Sequence, residues 1–261
     1  MNFLEMMRLE AHGPDTFVAS GPEYPWGGLY GGQIVAQALR AAGETVDPGF
    51  EVHSLHAYFI RMGDATQPIR FEVDRIRNGR SFCTRSVVAR QANGAILNLS
   101  ASFQRSSESP TDYEQLSIPD VPGPGEEGNT SWTDIFERRD AERGDSLRIW
   151  MRICDDLSDV DPLMQACALA YLSDDLPCES VMIRHPAFKG FDSEEDMLWN
   201  ASLDHAIWFH RPARADEFQL HSFECRSLIG SHGMALGSIF DRQGQLVATV
   251  SQEVLIREKR A

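Results

Sequence analysis

The stretch His53-Ser54-Leu55-His56-Ala57-Tyr58-Phe59 returns, rewritten, as Ser202-Leu203-Asp204-His205-Ala206-Ile207-Trp208 about 150 residues later. The correspondence widens outward from that core, with His53 to Gln104 matching Ser202 to Glu253. Ser81 aligns with Ser231, and Asn93-Gly94 with Gln243-Gly244. After each of those last pairs runs a strand-like tail, Ile96-Leu97-Asn98-Leu99 in one half and Leu246-Val247-Ala248-Thr249 in the other. The register slips by a single residue over the whole match, so a duplicated unit explains it. Two copies are free to diverge, one keeping the chemistry while the other becomes scaffold.

Each half reads as a helix followed by strands. Gly27-Gly28-Leu29-Tyr30-Gly31-Gly32 leads into Gln33-Ile34-Val35-Ala36-Gln37-Ala38-Leu39-Arg40-Ala41-Ala42-Gly43, whose apolar residues recur at helical spacing. Its many small residues point to a helix packed closely on a concave sheet. Strands are expected at 52–60, 69–77, 81–92 and 95–104, with Asn78-Gly79 and Asn93-Gly94 as hairpin turns. The second half reads as a strand at 147–153 and a helix at 162–172, with Asp161 as N-cap and Pro162 in the first turn. Strands follow at 178–183, 198–211, 218–227, 235–241 and 246–257, and 137–143 reads as a charged helix. The class is α+β, one helix shielded in each half by a sheet that curls around it. Ser, Pro, Glu and Gly dominate the joint. The expected division is 1–106, a linker at 107–131, and 132–261.

Composition narrows the function. The 261 residues are 42% hydrophobic and 24% charged, ordinary for a soluble globular protein. No run approaches the roughly 18 apolar residues of a membrane span, and the N-terminus does not read as a signal peptide. Five cysteines (Cys83, Cys154, Cys167, Cys178, Cys225), odd in number and without a CxxC pair, read as free thiols in the cytoplasm. A net charge of −15 argues against nucleic acid as a partner. A small anion remains admissible, because Arg75, Arg77, Arg80, Arg85 and Arg90 cluster locally.

Several motifs, in order, then resemble one family: Gly31-Gly32-Gln33-Ile34-Val35-Ala36-Gln37-Ala38-Leu39, Arg77-Asn78-Gly79-Arg80-Ser81-Phe82, Ser202 through Pro212, and Val250-Ser251-Gln252-Glu253. Together they are similar to the type II (TesB-like) acyl-CoA thioesterases over nearly the whole chain. The resemblance implies two tandem hotdog folds, the second carrying catalysis. It implies hydrolysis of acyl-CoA to free fatty acid and CoA, no cofactor, and a homodimer or homotetramer. By motif, the family's water-activating trio falls on Asp174, Ser202 and Gln252. Asp175-Leu176-Pro177 departs from the longer apolar continuation usual in the family, which bears on the acyl pocket. Ser102 stands where Gln252 would be in the first half, so one active site per chain is expected.

The residue types suit the reaction. A carboxylate can take the proton of an attacking water, which contributes about 10²–10⁴-fold. A hydroxyl and an amide fix where that water sits. Backbone N–H groups at the glycine-rich turn can meet the oxyanion, so Gly31 and Gly32 are candidate substrate contacts. Arg77 and Arg80 are candidates for the CoA phosphates. Asp204 competes with Asp174 as base, since two residues apart on a strand places it on the face of Ser202. His205 and His210 read as hydrogen-bonded structural residues, because no third metal ligand has suitable spacing. Gly144-Asp145-Ser146-Leu147 spells a hydrolase string but follows the charged 137–143 segment, and Gly27–Gly32 lacks dinucleotide spacing. Two other readings use the same fold: an acyl-thioester hydratase or dehydratase, for which the 162–174 segment lacks a histidine, and a non-catalytic acyl-CoA binder.

Overall fold

A computed structural model describes residues 1–105, 112–125, 128–190 and 198–258. Part of the expected linker, at 107–111 and 126–127, therefore lies outside the described residues. The first half runs α1 (Phe3–Met6), β1 (Glu10–Ala11), β2 (Thr16–Ala19), α2 (Gly31–Gly43), β3 (Phe50–Phe59), β4 (Ile69–Asn78), β5 (Phe82–Gln91) and β6 (Gly94–Arg105). The second runs β7 (Phe136–Arg143), β8 (Ser146–Ile153), α3 (Pro162–Ser173), α4 (Leu176–Met182), β9 (Leu198–Ser202), β10 (Asp204–Phe209), β11 (Gln219–Ile229), β12 (His232–Phe240) and β13 (Leu246–Glu258).

All strands join one antiparallel sheet in the order β1-β2-β4-β5-β6-β3-β10-β13-β12-β11-β8-β7, with β9 added on β13. Within it, β2-β4-β5-β6-β3 and β8-β11-β12-β13-β10 are the same arrangement, which is the sequence repeat seen as topology. The halves meet where β3 pairs with β10, His205 opposite Ala57 and Ala206 opposite His56. The two copies of the His-Ala motif thus face each other across the pseudo-two-fold axis. The turns correspond as well: Gly94 (φ 113°) and Gly244 (φ 83°) sit at equivalent hairpins in a conformation that favours glycine.

Burial alternates along the strands. In β5, Cys83, Arg85, Val87 and Ala89 are buried and the residues between them are partly exposed. α2 lies against β3–β6 and against α3, with Ala36, Ala38, Ala41 and Ala42 keeping the separation short. α3 starts where expected: the Asp161 carboxylate accepts the Met164 N–H at 2.7 Å, with Pro162 in the first turn. From Cys167 onward α3 is buried on every side, as an all-round apolar helix must be. One continuous apolar core runs from Phe3 and Leu39 to Leu172 and Val250, so both halves share it.

Three expectations fail. Residues 178–182 belong to helix α4, with Ile183 as its C-cap, and the helix lies across β11, β12 and β13. Pro177 lies in its first turn, and Leu176 and Pro177 bury on the same side as Ser180 and Val181; a stretch of six residues cannot separate the two periods. Residues 137–143 form strand β7, where Phe136 and Arg138 point inward. The strand expected at 198–211 is broken at Leu203, whose N–H donates to the Glu253 carbonyl while its own carbonyl receives the Phe59 N–H.

Candidate active site

The two helices bring their opposite ends together. α3 terminates on Asp174, its C-cap, and α2 begins at Gly31 beside it. A methyl group at Gly31 would lie 2.5 Å from Asp174 Oδ2 and 2.9 Å from the Phe59 ring. One at Gly32 would lie 2.4 Å from the Tyr171 carbonyl, to which the Tyr30 hydroxyl donates at 2.9 Å. The glycines therefore let the N-terminus of one helix touch the last turn of the other. Gly31→Ala is expected to lower kcat about tenfold or more by displacing the carboxylate, with a smaller change in KM. Steady-state kinetics on a folded variant with unchanged kcat would rule this contact out as important.

Two strands of the second half complete the site. Ser202 ends β9 opposite Val254, and Gln252 lies in β13 opposite Ala235. The Gln252 Nε2 group donates to Ser202 Oγ at 2.8 Å. Asp174 is buried and faces both. Burial pushes its carboxyl up to about 7, against the pull of the Gln252 amide, the Gly32 N–H and the Ser202 hydroxyl. Oδ1 nevertheless has no hydrogen-bond partner among the described residues, His205 Nδ1 standing 3.9 Å away. A buried carboxylate oxygen with an unused acceptor, facing a hydroxyl and an amide, is a receptor for one small donor.

Two further groups stand here that reading the sequence did not assign to the site. His205, fully buried, places Nδ1 2.6 Å from Gln252 Oε1 and Nε2 2.9 Å from Ser173 Oγ. Cys178 Sγ lies 3.6 Å from Ser202 Oγ, and burial pushes the thiol up to about 12, so it stays protonated. The His205 motif gave the signal, since it centres the repeat; nothing in the sequence marked Cys178. Asp204 does not join them. The break at Leu203 spoils the period-two argument, and the Asp204 carboxylate accepts the Glu253 N–H at 2.6 Å, with the Glu253 and His56 side chains beside it.

The arginine cluster disperses. Arg75 pairs with Asp15 and Arg90 with Glu72. Arg85 is buried on the Thr45 carbonyl and hydroxyl just past the end of α2. Arg77 and Arg80 are exposed near that same end, away from Gly31 and Gly32. Ser146 opens β8 opposite Glu224, so the hydrolase string sits in a hairpin. Among the described residues no cluster of His, Cys, Asp or Glu is arranged to hold a metal.

The pseudo-symmetric location in the first half is closed. There the C-cap of α2 is Glu44, and the N-terminus of α3 is Asp161-Pro162 in place of two glycines. Arg40 bridges Glu44 at 2.7 Å and Asp161 at 3.0 Å. Pro162 offers no N–H, and Ser102, in the place of Gln252, meets His53 Nε2 at 2.7 Å.

Known proteins match the chain over nearly its whole length. Family models for an acyl-CoA thioesterase N-terminal domain and C-terminal domain match residues 21–104 and 110–256. The chain is 34% identical over 265 residues to acyl-coenzyme A thioesterase 8 of Rattus norvegicus, covering 88% of this chain and 81% of that one. It is 32% identical to acyl-CoA thioesterase 2 of Haemophilus influenzae, covering 98% and 97%. The crystal structure of an acyl-CoA thioesterase II, TesB2, from Mycobacterium marinum superposes with a TM-score of 0.85 at 35% identity, covering 99% and 98%.

Proposed function

The chain belongs to the type II acyl-CoA thioesterase family and hydrolyses acyl-CoA thioesters; we propose that Asp174, Ser202 and Gln252 hold and activate the attacking water. The observation that carries this reading is that Oδ1 of a buried carboxyl raised to about 7 has no hydrogen-bond partner among the described residues. Ionised Asp174 accepts the water proton as the oxygen attacks the thioester carbonyl. Ser202 and Gln252 fix the water in place, which supplies the positioning term. The N–H groups at the start of α2, where Gly32 already faces Asp174, are the backbone donors beside the carboxylate, and we assign the developing oxyanion to that end of the helix. Collapse of the tetrahedral adduct expels CoA as thiolate and leaves the free acid. Cys178 takes no part as a nucleophile, its thiol being held neutral.

The closed counterpart in the first half supports one active site per chain. We place the acyl chain against the small-residue helices α2 and α3. We place the CoA phosphates toward Arg77 and Arg80, since the length of α2, roughly 20 Å, matches the reach of an extended pantetheine arm. No helix among the described residues is long and apolar enough to cross a membrane. We place the enzyme in the cytoplasm, with its five free thiols, as a homodimer or homotetramer.

The test is thiol release from acetyl-, octanoyl- and palmitoyl-CoA between pH 5 and 9. Since Asp174 must be ionised to act, kcat/KM should rise about tenfold per pH unit below about 7 and level off above it. A profile flat through that window would exclude Asp174 as base. Binding of all three substrates without thiol release would favour a passive carrier.

A further inference from the structure

The carboxamide of Gln252 has two unlike ends, and catalysis needs a particular one toward Ser202. The buried side chains Ser173, His205 and Gln252 form, with the half-buried Ser202, a chain with contacts of 2.9, 2.6 and 2.8 Å. Hydrogen bonds can run along it in either of two self-consistent directions. In one, the Ser173 hydroxyl donates to His205 Nε2, Nδ1–H donates to Gln252 Oε1, and the Gln252 N–H donates to Ser202 Oγ. The Ser202 proton then remains free for the water or Asp174. In the other, His205 Nε2–H donates to Ser173, which donates in turn to the Ala170 carbonyl 3.0 Å away. The carboxamide is then turned over, and Ser202 spends its proton on Gln252 Oε1.

Asp174 decides between them. An ionised carboxylate in front of Gln252 attracts the NH₂ end and repels the carbonyl end. That leaves Oε1 facing the imidazole, where only an N–H satisfies a 2.6 Å contact. We infer that His205, as its Nδ1–H tautomer, is a positioning residue that locks the Gln252 carboxamide and so aims the Ser202 hydroxyl at the attacking water. The ring makes this choice as a neutral group, since burial pushes it down to about 4. Its place beside the pseudo-two-fold axis, opposite Ala57, anchors the lock where the halves join.

The inference rests on the water-holding role given to Gln252, and its test separates the two. In the intact protein, ¹⁵N NMR of the histidine rings should find His205 protonated at Nδ1 and bare at Nε2. The reverse tautomer would overturn the lock whether or not any variant folds. Among variants, Asn carries its amide nitrogen where Nδ1 stood, and Gln carries its own where Nε2 stood. His205→Asn should keep kcat within about threefold, while His205→Gln should lose about tenfold or more with KM nearly unchanged. In a Gln252→Ala background both should change kcat less than about twofold, because their effect passes through Gln252. Equal losses in Asn and Gln variants, or a full loss persisting in that background, would refute the lock alone. Wild-type turnover in Gln252→Ala would instead remove the water-holding role itself.

Discussion

Asp174→Asn is expected to lower kcat by about 10²–10⁴-fold, the range a general base contributes, and to make the protein harder to unfold at pH 8. The stability change follows from linkage. The folded carboxyl titrates near 7, against 3.8 as its ordinary value. Between those values the folded state holds a proton that the unfolded chain has already released. Stability therefore falls as pH climbs through that window, by roughly 4 kcal/mol once both states are ionised. Asparagine removes that penalty but offers only one acceptor to the surrounding donors. A net gain on the order of 1–2 kcal/mol at pH 8 is expected, fading toward pH 4. Urea unfolding of both proteins at pH 4, 6 and 8 measures it. A variant equally destabilised at every pH would mean that Asp174 is not held against its own charge.

Arg138→Met should produce the largest loss of stability. The Arg138 guanidinium is almost fully buried, 3.1 Å from Asp175 and 2.7 Å from Glu179. Those carboxylates outweigh its desolvation and raise its pKa. The second Asp175 oxygen receives the Trp132 indole N–H at 2.7 Å, so the group ties β7 to the turn between α3 and α4. Removing the cation strands two acids in the interior, which costs about 3–5 kcal/mol, or a drop in Tm of about 6–20 °C. Asp175 would then press unopposed on its neighbour Asp174, and the acid limb of the pH–rate profile should move to higher pH. Adding Glu179→Gln should recover part of the stability. A single variant melting within about 2 °C of wild type would show that the pair contributes little.

The repeat carried most of the fold. Fixed-period turns and the alternating runs of β3 to β6 depend on local chemistry, and so does the Asp161-Pro162 start of α3. Such features survive in a single sequence. At β7 and α4 tertiary burial overrides the local pattern. Arg138 is paired inward on Asp175 and Glu179 while Arg139 meets Glu137 on the opposite face of the strand, and the mixed stretch 178–183 is too short to show its period. Asp174, Ser202 and Gln252 came from motif resemblance, and the fold brings them together from α3, β9 and β13. Asp204 rivals Asp174 only on a continuous strand, and the strand breaks at Leu203. His205 hid among structural histidines, since its role depends on which partners meet its two nitrogens, and strand spacing says nothing of that.

The most direct measurement is a high-resolution crystal structure with a non-hydrolysable thioether analogue of acyl-CoA bound. The expected result is one ordered water within about 2.6–3.2 Å of Asp174 Oδ1 and of the Ser202 and Gln252 side chains, in line with the carbon that replaces the carbonyl. An analogue seated with that carbon directly on Ser202 or Cys178, and no water between it and Asp174, would contradict it.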